Sequence, residues 1–305
     1  MINVTIKHLR YFDALARHGH FGRAAEACAI TQPAMSIQIK ELETMLGSPL
    51  VERGPRQVRL TPLGEDFAER ARDILRSVDE LSDLARAADG PLIGRLRVGV
   101  IPTVAPYLLP EVIKSLSGRF PSLDLQPREA KTERLIEDLL ESRLDLAIVA
   151  LPISEPALRE FALFEEDFVL VRPSEEVGMP IPSPEGLLKM RLLLLEEGHC
   201  FRDQALSFCE ATPTATRNLM EGSSLSTLVQ MVGAGIGVTL IPEMAMPLET
   251  QAAQVSVARF KKPSPSRTIG MVWRKTTPLS DQLMEIGGIV RRVGTATRDA
   301  ARLAG

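Results

Sequence analysis

Residues 21–65 read FGRAAEACAITQPAMSIQIKELETMLGSPLVERGPRQVRLTPLGE, and the fold of the N-terminal part follows from them. Phe21, Ala24, Ala25 and Cys28 recur at helical spacing and mark a short helix. Its alanine pair is small enough to let another helix approach closely, and Cys28 reads as a buried structural thiol. Ala29-Ile30-Thr31 is a three-residue connection. Thr31 is placed to cap a further helix, and Pro33 suits its first turn, where a missing N–H costs nothing. Met35, Ile39, Leu42 and Leu46 form the buried stripe of that helix, and Gly47 stops it. Gln32, Ala34, Ser36, Gln38 and Lys40 lie off the stripe, short or polar side chains able to reach base edges or phosphates. Beyond them, Leu50–Arg53 and Val58–Leu60 flank Gly54-Pro55-Arg56 as a two-stranded wing. Arg53 and Arg56 of such a wing are suited to phosphate or the minor groove. Upstream, Leu9, Phe12 and Leu15-Ala16 mark a first amphipathic helix. Three short helices and a wing form a helix-turn-helix head.

Charge agrees with this head. Residues 1–64 carry eight bases and five acids, +3, whereas the other 241 residues carry 28 bases and 34 acids, −6. A basic head on an acidic body suits a polyanion at the head only. The 305 residues are too many for one ordinary domain, and 45% hydrophobic with 25% charged residues is the balance of a globular chain. Three cysteines cannot make a disulfide scaffold. No apolar run approaches the ~18 residues of a membrane helix, and the first fifteen residues lack a signal core, so a cytoplasmic protein is expected.

Downstream of the wing, Thr61 opens a helix with Pro62 in its first turn. From Gly64 to Asp89 there is neither proline nor interior glycine. Phe67, Ala71, Ile74, Val78, Leu81, Ala85 and Ala88 step by alternating fours and threes, the a/d stripe of a coiled coil. Leu75 and Leu84 widen the stripe, so packing on a neighbouring domain is an alternative. Gly90-Pro91 ends the helix. The body then alternates strands and helices, which means α/β. Strands are expected at Leu96–Ile101, Leu123–Gln126, Leu144–Leu151, Phe168–Val171, Leu192–Leu195, Gly237–Ile241 and Thr268–Trp273. Helices are expected after Pro102-Thr103, from a Thr132 cap through Leu140, over residues 224–234, and in the last 28 residues. The late strand fits a chain that crosses to a second lobe and returns. Neither GxGxxG after the first strand nor GxxxxGK[ST] occurs, so a nucleotide cofactor has no support. Thr103 and Thr132 fall at helix starts near the carboxyl ends of strands, where ligands bind in open α/β sheets.

Cys200 and Cys209 lie in EGHCFRDQALSFC, residues 197–209, with a helix starting near Cys200. A helix N-terminus and nearby cations stabilise a thiolate, and His199 and Arg202 are the local candidates. Glu196 and Glu197 oppose the effect if they point inward. In one helix the two Cα atoms would stand ~13 Å apart, beyond the ~4.4–6.8 Å that a disulfide requires. Pairing therefore demands that the segment unwind, and Phe201, Leu206 and Phe208 must repack. Two alternatives stand beside this one: an incidental pair of cysteines, or a metal site of His199, Cys200 and Cys209. The metal reading is disfavoured, because three ligands leave the shell open and adjacent helical residues diverge by ~100°.

The head, residues 5–64, closely resembles the winged helix-turn-helix of LysR-type transcription regulators. GHCFRDQALSFC, IPTVAPYLLP (101–110), EAKTERL (129–135), residues 221–245 and RTIGMVWR (267–274) resemble the peroxide-sensing OxyR branch of that family. The resemblance covers nearly the whole chain, least well over 174–190. It implies a DNA-binding domain at 1–63, a linker and dimerisation helix at 64–90, and a regulatory domain at 91–305. That domain would be two-lobed like a periplasmic binding protein, with lobe I at about 91–167 plus 268–305 and lobe II at about 168–267. It implies that Cys200 is the peroxidatic thiolate and Cys209 the resolving thiol. Thr103, Thr132, His199 and Asp203 would hold the peroxide, and Arg267 would be a cation near the reduced thiol. Phe67, Ile74, Val78 and Leu81 would pair subunits as a homodimer or homotetramer. Promoter DNA, hydrogen peroxide, RNA polymerase and a thioredoxin- or glutaredoxin-type reductant would be partners, without cofactor, metal or membrane. The competing readings are a LysR-type regulator with a metabolite in its interlobe cleft, and a thiol peroxidase enzyme.

Overall fold

The computed structural model describes residues 4–53, 58–88, 93–209 and 220–303. The chain divides into two compact units, Met1–Ala85 and Arg86–Gly305.

The first unit holds α1 (Ile6–His18), α2 (Phe21–Ala27), α3 (Gln32–Leu46), β1 (Val51–Arg53), β2 (Val58–Leu60) and most of α4 (Pro62–Ala88). Thr31 caps α3 through its hydroxyl, which accepts the Ala34 N–H at 3.4 Å, and Gly47 ends it at φ +70°. β1 and β2 pair antiparallel as the wing. The Glu43 carboxylate accepts the Leu50 and Val51 N–H groups, fixing β1 to α3. Phe12, Leu15, Met35, Ile39, Leu42 and Leu50 are fully buried. Phe67 closes this core edge-on to Phe12, with ring centroids 5.4 Å apart. Two expectations change. Cys28 is the C-cap of α2 rather than an interior residue, and it is half-buried at the core's edge. Phe67 faces the head's own core, so the outward stripe of α4 is carried by Ile74 and Leu81, with Leu84, all exposed, and half-buried Val78. Arg56 lies outside the described residues, as do the side chains of Arg53, Ala85 and Ala88.

The second unit runs β3 (Gly94–Val100), α5 (Ala105–Arg119), β4 (Leu123–Glu129), α6 (Thr132–Leu140), β5 (Leu146–Leu151), β6 (Leu158–Pro173), α7 (Pro184–Lys189), β7 (Leu192–Leu195), α8 (Cys200–Phe208), β8 (Glu221–Gly222), α9 (Leu225–Gly233), β9 (Val238–Pro242), α10 (Met246–Glu249), β10 (Val255–Arg259), β11 (Ser266–Arg274) and α11 (Ser280–Leu303). The strand order is β4-β3-β5-β11-β6-β9-β7-β8, with β10 also on β6. β3 is parallel to β4 and β5, whereas β11 runs antiparallel to β5 and β6. The fold is α/β with a mixed sheet.

One buried cluster gathers Leu96, Leu108, Ile148, Trp273 and Ile286, and a second gathers Phe168, Leu193, Phe201, Cys209 and Val229. β6 serves both, pairing with β11 up to Asp167, with β9 from Phe168 and with β10 from Val169. The strand expected at Phe168–Val171 thus starts ten residues earlier. Residues 158–167 carry five charges and bury only alternate stretches, which hides a strand covered unevenly. At the crossover an ion-pair network closes. Arg302 of α11 pairs with Asp167 at 3.0 Å and with buried Glu243 at 2.7 Å, and Arg259 also pairs with Glu243. Among the described residues, no helix is long and apolar enough to cross a membrane.

Candidate functional site

The site forms where β3, α6, β7 and β11 end or begin. Past β3, Thr103 is buried, and its hydroxyl accepts from Arg267 Nη1 at 2.8 Å. The Thr103 carbonyl accepts from Arg267 Nη2 at 3.0 Å. Arg267 is paired with Glu166 at 2.8 Å, both side chains wholly buried, and the other Glu166 oxygen accepts the Met244 N–H at 3.0 Å. The Arg267 guanidinium lies 5.3 Å from the Phe201 ring centroid, and Phe201 meets Phe168 edge-on at 4.8 Å. A buried ion pair of this kind persists only with its remaining donors and acceptors satisfied, as they are here.

From β7 the chain turns through Glu196-Glu197-Gly198-His199 into α8. Gly198 has φ +86°, and a Cβ there would stand 3.1 Å from Lys131 Cδ, so glycine serves both conformation and space. Lys131 Nζ donates to the Glu197 carbonyl at 2.6 Å, strapping this loop to the start of α6. Glu196 and Glu197 are exposed. His199 is buried, and burial followed by the Lys131 charge lowers its pKa, against a smaller opposing effect of Glu196. Burial and the Lys131 charge both favour the neutral imidazole over the cation that its place before Cys200 suggests. A cleft of about 340 Å³ opens here, lined among others by Thr103, Lys131, His199, Tyr107, Ser226 and Glu249. Across it, the Tyr107 hydroxyl and the Ser226 hydroxyl each donate to the Glu249 carboxylate at 2.6 Å. Burial and that carboxylate push the tyrosine pKa up.

Cys200 is the first residue of α8, half-buried against the first core cluster. Cys209 is the C-cap of the same helix, 1% exposed within the second cluster. Both are free thiols, and burial pushes that of Cys209 up to about 11. Next to it, Phe208 meets Phe260 edge-on at 5.2 Å. Among the described residues no group of three or more His, Cys, Asp or Glu could hold a metal ion.

The structure thus joins Thr103 to Arg267 and puts Thr103 and His199 on one cleft. Three expectations change. Thr132 is the first helical residue of α6, not its cap; its buried hydroxyl has no partner among the described residues. Arg202 is paired with Glu221 at 2.7 Å and donates to the Leu195 carbonyl at 2.8 Å, so its charge fastens α8 to β7 and β8 and is not a free cation. Asp203 is exposed and is not among the residues that line the cleft. Glu166, Lys131, Tyr107 and Glu249 were not foreseen. The pairs Lys131–Glu197, Glu166–Arg267 and Tyr107–Glu249 span 66, 101 and 142 residues, and no local pattern announces them. On α3, Gln32, Pro33 and Lys40 are exposed, whereas Ala34, Ser36 and Gln38 are half-buried, and Gln38 donates to Glu41 at 2.6 Å.

Residues 6–65 match the bacterial regulatory helix-turn-helix proteins of the lysR family, and residues 89–293 match the LysR substrate binding domain. A probable hydrogen peroxide-inducible genes activator of Streptomyces viridosporus is 42% identical over 94% of this chain and 93% of its own. The solved structure of full-length OxyR of Pseudomonas aeruginosa, with a cysteine-to-aspartate substitution, is similar at a TM-score of 0.74 and 36% identity. That comparison covers 95% of this chain and 98% of the other. A cysteine-to-serine variant of Corynebacterium glutamicum OxyR, with hydrogen peroxide bound, gives 0.69 and 34% over 99% and 96%. A helix-turn-helix unit joined to a cleft-bearing unit, together with these likenesses along nearly the full length, establishes that the chain belongs to the LysR family of transcriptional regulators, in its OxyR branch.

Proposed function

We propose that the protein is a DNA-binding regulator that senses hydrogen peroxide through a reversible disulfide between Cys200 and Cys209 and controls antioxidant genes. The observation that carries this reading is two reduced cysteines at the two ends of one nine-residue helix, the first following a cleft-lining histidine. The Cys200 thiolate attacks one peroxide oxygen, the O–O bond breaks, and the departing hydroxide takes a proton to leave as water. The resulting sulfenic acid is attacked by Cys209 sulfur, forming the S–S bond and releasing a second water. Thr103 and His199, which line the cleft, would hold the peroxide, and Thr132, next in sequence to cleft-lining Lys131, would add its unpartnered hydroxyl. Arg267 acts through Thr103, orienting its hydroxyl while the Glu166 carboxylate fixes the guanidinium. The second step requires α8 to open, because a standing helix holds its ends ~13 Å apart. Opening alters how subunits pair along the α4 stripe of exposed Ile74 and Leu81 and half-buried Val78, as a homodimer or homotetramer. It thereby moves the DNA-reading heads and their contact with RNA polymerase. A cytoplasmic thioredoxin- or glutaredoxin-type dithiol returns two electrons and resets the pair.

Mass spectrometry of the segment spanning 200–209, before and after one equivalent of peroxide, tests this. The expected product is a linkage two hydrogens lighter. Cys200→Ser abolishes it and the transcriptional response while DNA binding persists; a Cys200→Ser protein that still responds sinks the mechanism. A peroxidase enzyme would instead turn over with reductant, where the sensor consumes one equivalent per subunit. The 340 Å³ cleft favours a second reading, a regulator answering a small metabolite. In that case the metabolite raises the melting temperature and peroxide leaves both cysteines reduced.

A further inference from the structure

We propose that Ile37, on the outward ridge of α3, reads the methyl group of a thymine in the DNA major groove. The inference rests on the DNA-binding reading of the first unit. The core side of α3 is set by Met35, Ile39 and Leu42, all fully buried. At ~100° per residue, Ile37 points ~170° away from the mean direction of those three, the outermost position in the middle of the helix. Its side chain is 58% exposed. Pro33 and Lys40, four residues before and three after it, are exposed on the same ridge. The polar side chains suited to base edges stand to its flanks. Ser36 is half-buried, and Gln38 is half-buried with its amide on Glu41. The side chain that leads α3 toward a ligand is therefore a branched hydrocarbon with neither donor nor acceptor. Among the described residues of 4–60, the other exposed large apolar side chain is Ile6, at the start of α1.

Major-groove chemistry makes this a discriminating feature. Of the four bases, thymine alone presents a methyl group there, while cytosine presents an amino donor and guanine two acceptors. Against thymine, Ile37 buries hydrocarbon on hydrocarbon. Against cytosine or guanine it strips water from a polar edge and offers no bond in return, so the wrong base is also actively disfavoured. Lys40, one turn along, supplies the charge that holds the helix to the phosphates.

A uracil cycle tests the assignment. A duplex enriched by the full-length protein from a randomised pool is resynthesised with single thymines replaced by deoxyuridine, which removes only the methyl. The wild-type protein is expected to lose about fourfold in affinity at one thymine of each half-site, the worth of one buried methyl. Ile37→Ala is expected to bind both duplexes at the weaker level, and Ile37→Val to keep part of the discrimination. The salt dependence of binding should be the same in all three, because the phosphate contacts are untouched. A wild-type protein indifferent to uracil at every position overturns the proposal, and so does Ile37→Ala with discrimination intact. Solitary exposed apolar residues are ordinary, and an ordinary one gives that indifferent result. Failure to enrich any duplex instead overturns the DNA-binding reading itself.

Discussion

Among the described residues, the N-terminal end of α8 is fastened by charge and its C-terminal end by hydrocarbon. At the first end, Arg202 is paired with Glu221 and bonded to the Leu195 carbonyl, while the buried Arg267–Glu166 pair lies against Phe201. At the second, Cys209 is enclosed in the core and Phe208 rests on Phe260. Removing one partner of a buried ion pair costs about 3–5 kcal/mol, whereas an aromatic pair is worth about 0.5–1.5 kcal/mol beyond its buried area. The helix is therefore expected to let go from the Cys209 end, bringing the buried thiol toward Cys200.

The largest effect that could break this comparison is at the charged end. Arg267→Met leaves the Glu166 carboxylate buried and uncompensated, and should destabilise the second unit by about 3–5 kcal/mol in urea unfolding. A loss under 1 kcal/mol would mean that charge does not anchor that end. Next is the thiol at the other end. With its pKa near 11, Cys209 should be alkylated at pH 8 about a hundredfold more slowly in the folded protein than in urea. The folded state holds this thiol protonated. Its contribution to stability is complete below about pH 9 and declines as pH rises toward 11, so alkylation should accelerate across that window. Equal rates in folded and unfolded protein at pH 8 would contradict the buried placement. The smallest effect is at the ring pair: Phe260→Leu should cost about 1 kcal/mol and speed disulfide formation after peroxide about fivefold, read by stopped-flow fluorescence. Slower formation would reverse the order in which the two ends release.

Much of this was legible in the sequence because it is local. The Thr31 cap, the Gly47 stop, the four-leucine strand at 192–195 and the helix starting at Cys200 each depend on neighbours within a few residues. The ~13 Å separation of the cysteines followed from helical rise alone. What escaped is long-range or two-sided. β6 was seen only from Phe168 because its first ten residues mix charge with core. Thr132 carries a capping residue's chemistry one position too late, since Lys131 takes the cap position without a side-chain bond. Arg202 looked like a free cation because Glu221, its partner, is nineteen residues on and beyond a stretch of sequence with no periodic signal. Ile37 was overlooked for a different reason. Base-reading side chains announce themselves in a sequence by their donors and acceptors, and thymine offers a surface that needs neither.

The ion-pair network at the crossover has a practical consequence for handling the protein. Glu243 is almost wholly buried, and one of its two cationic partners, Arg302, lies in the last turn of α11. A version trimmed before Arg302 would leave that carboxylate with Arg259 as its remaining ion-pair partner among the described residues, and would leave Asp167 with the Ser264 hydroxyl in place of an ion pair. Trimming α11 to aid crystallisation would loosen the junction between the two cores.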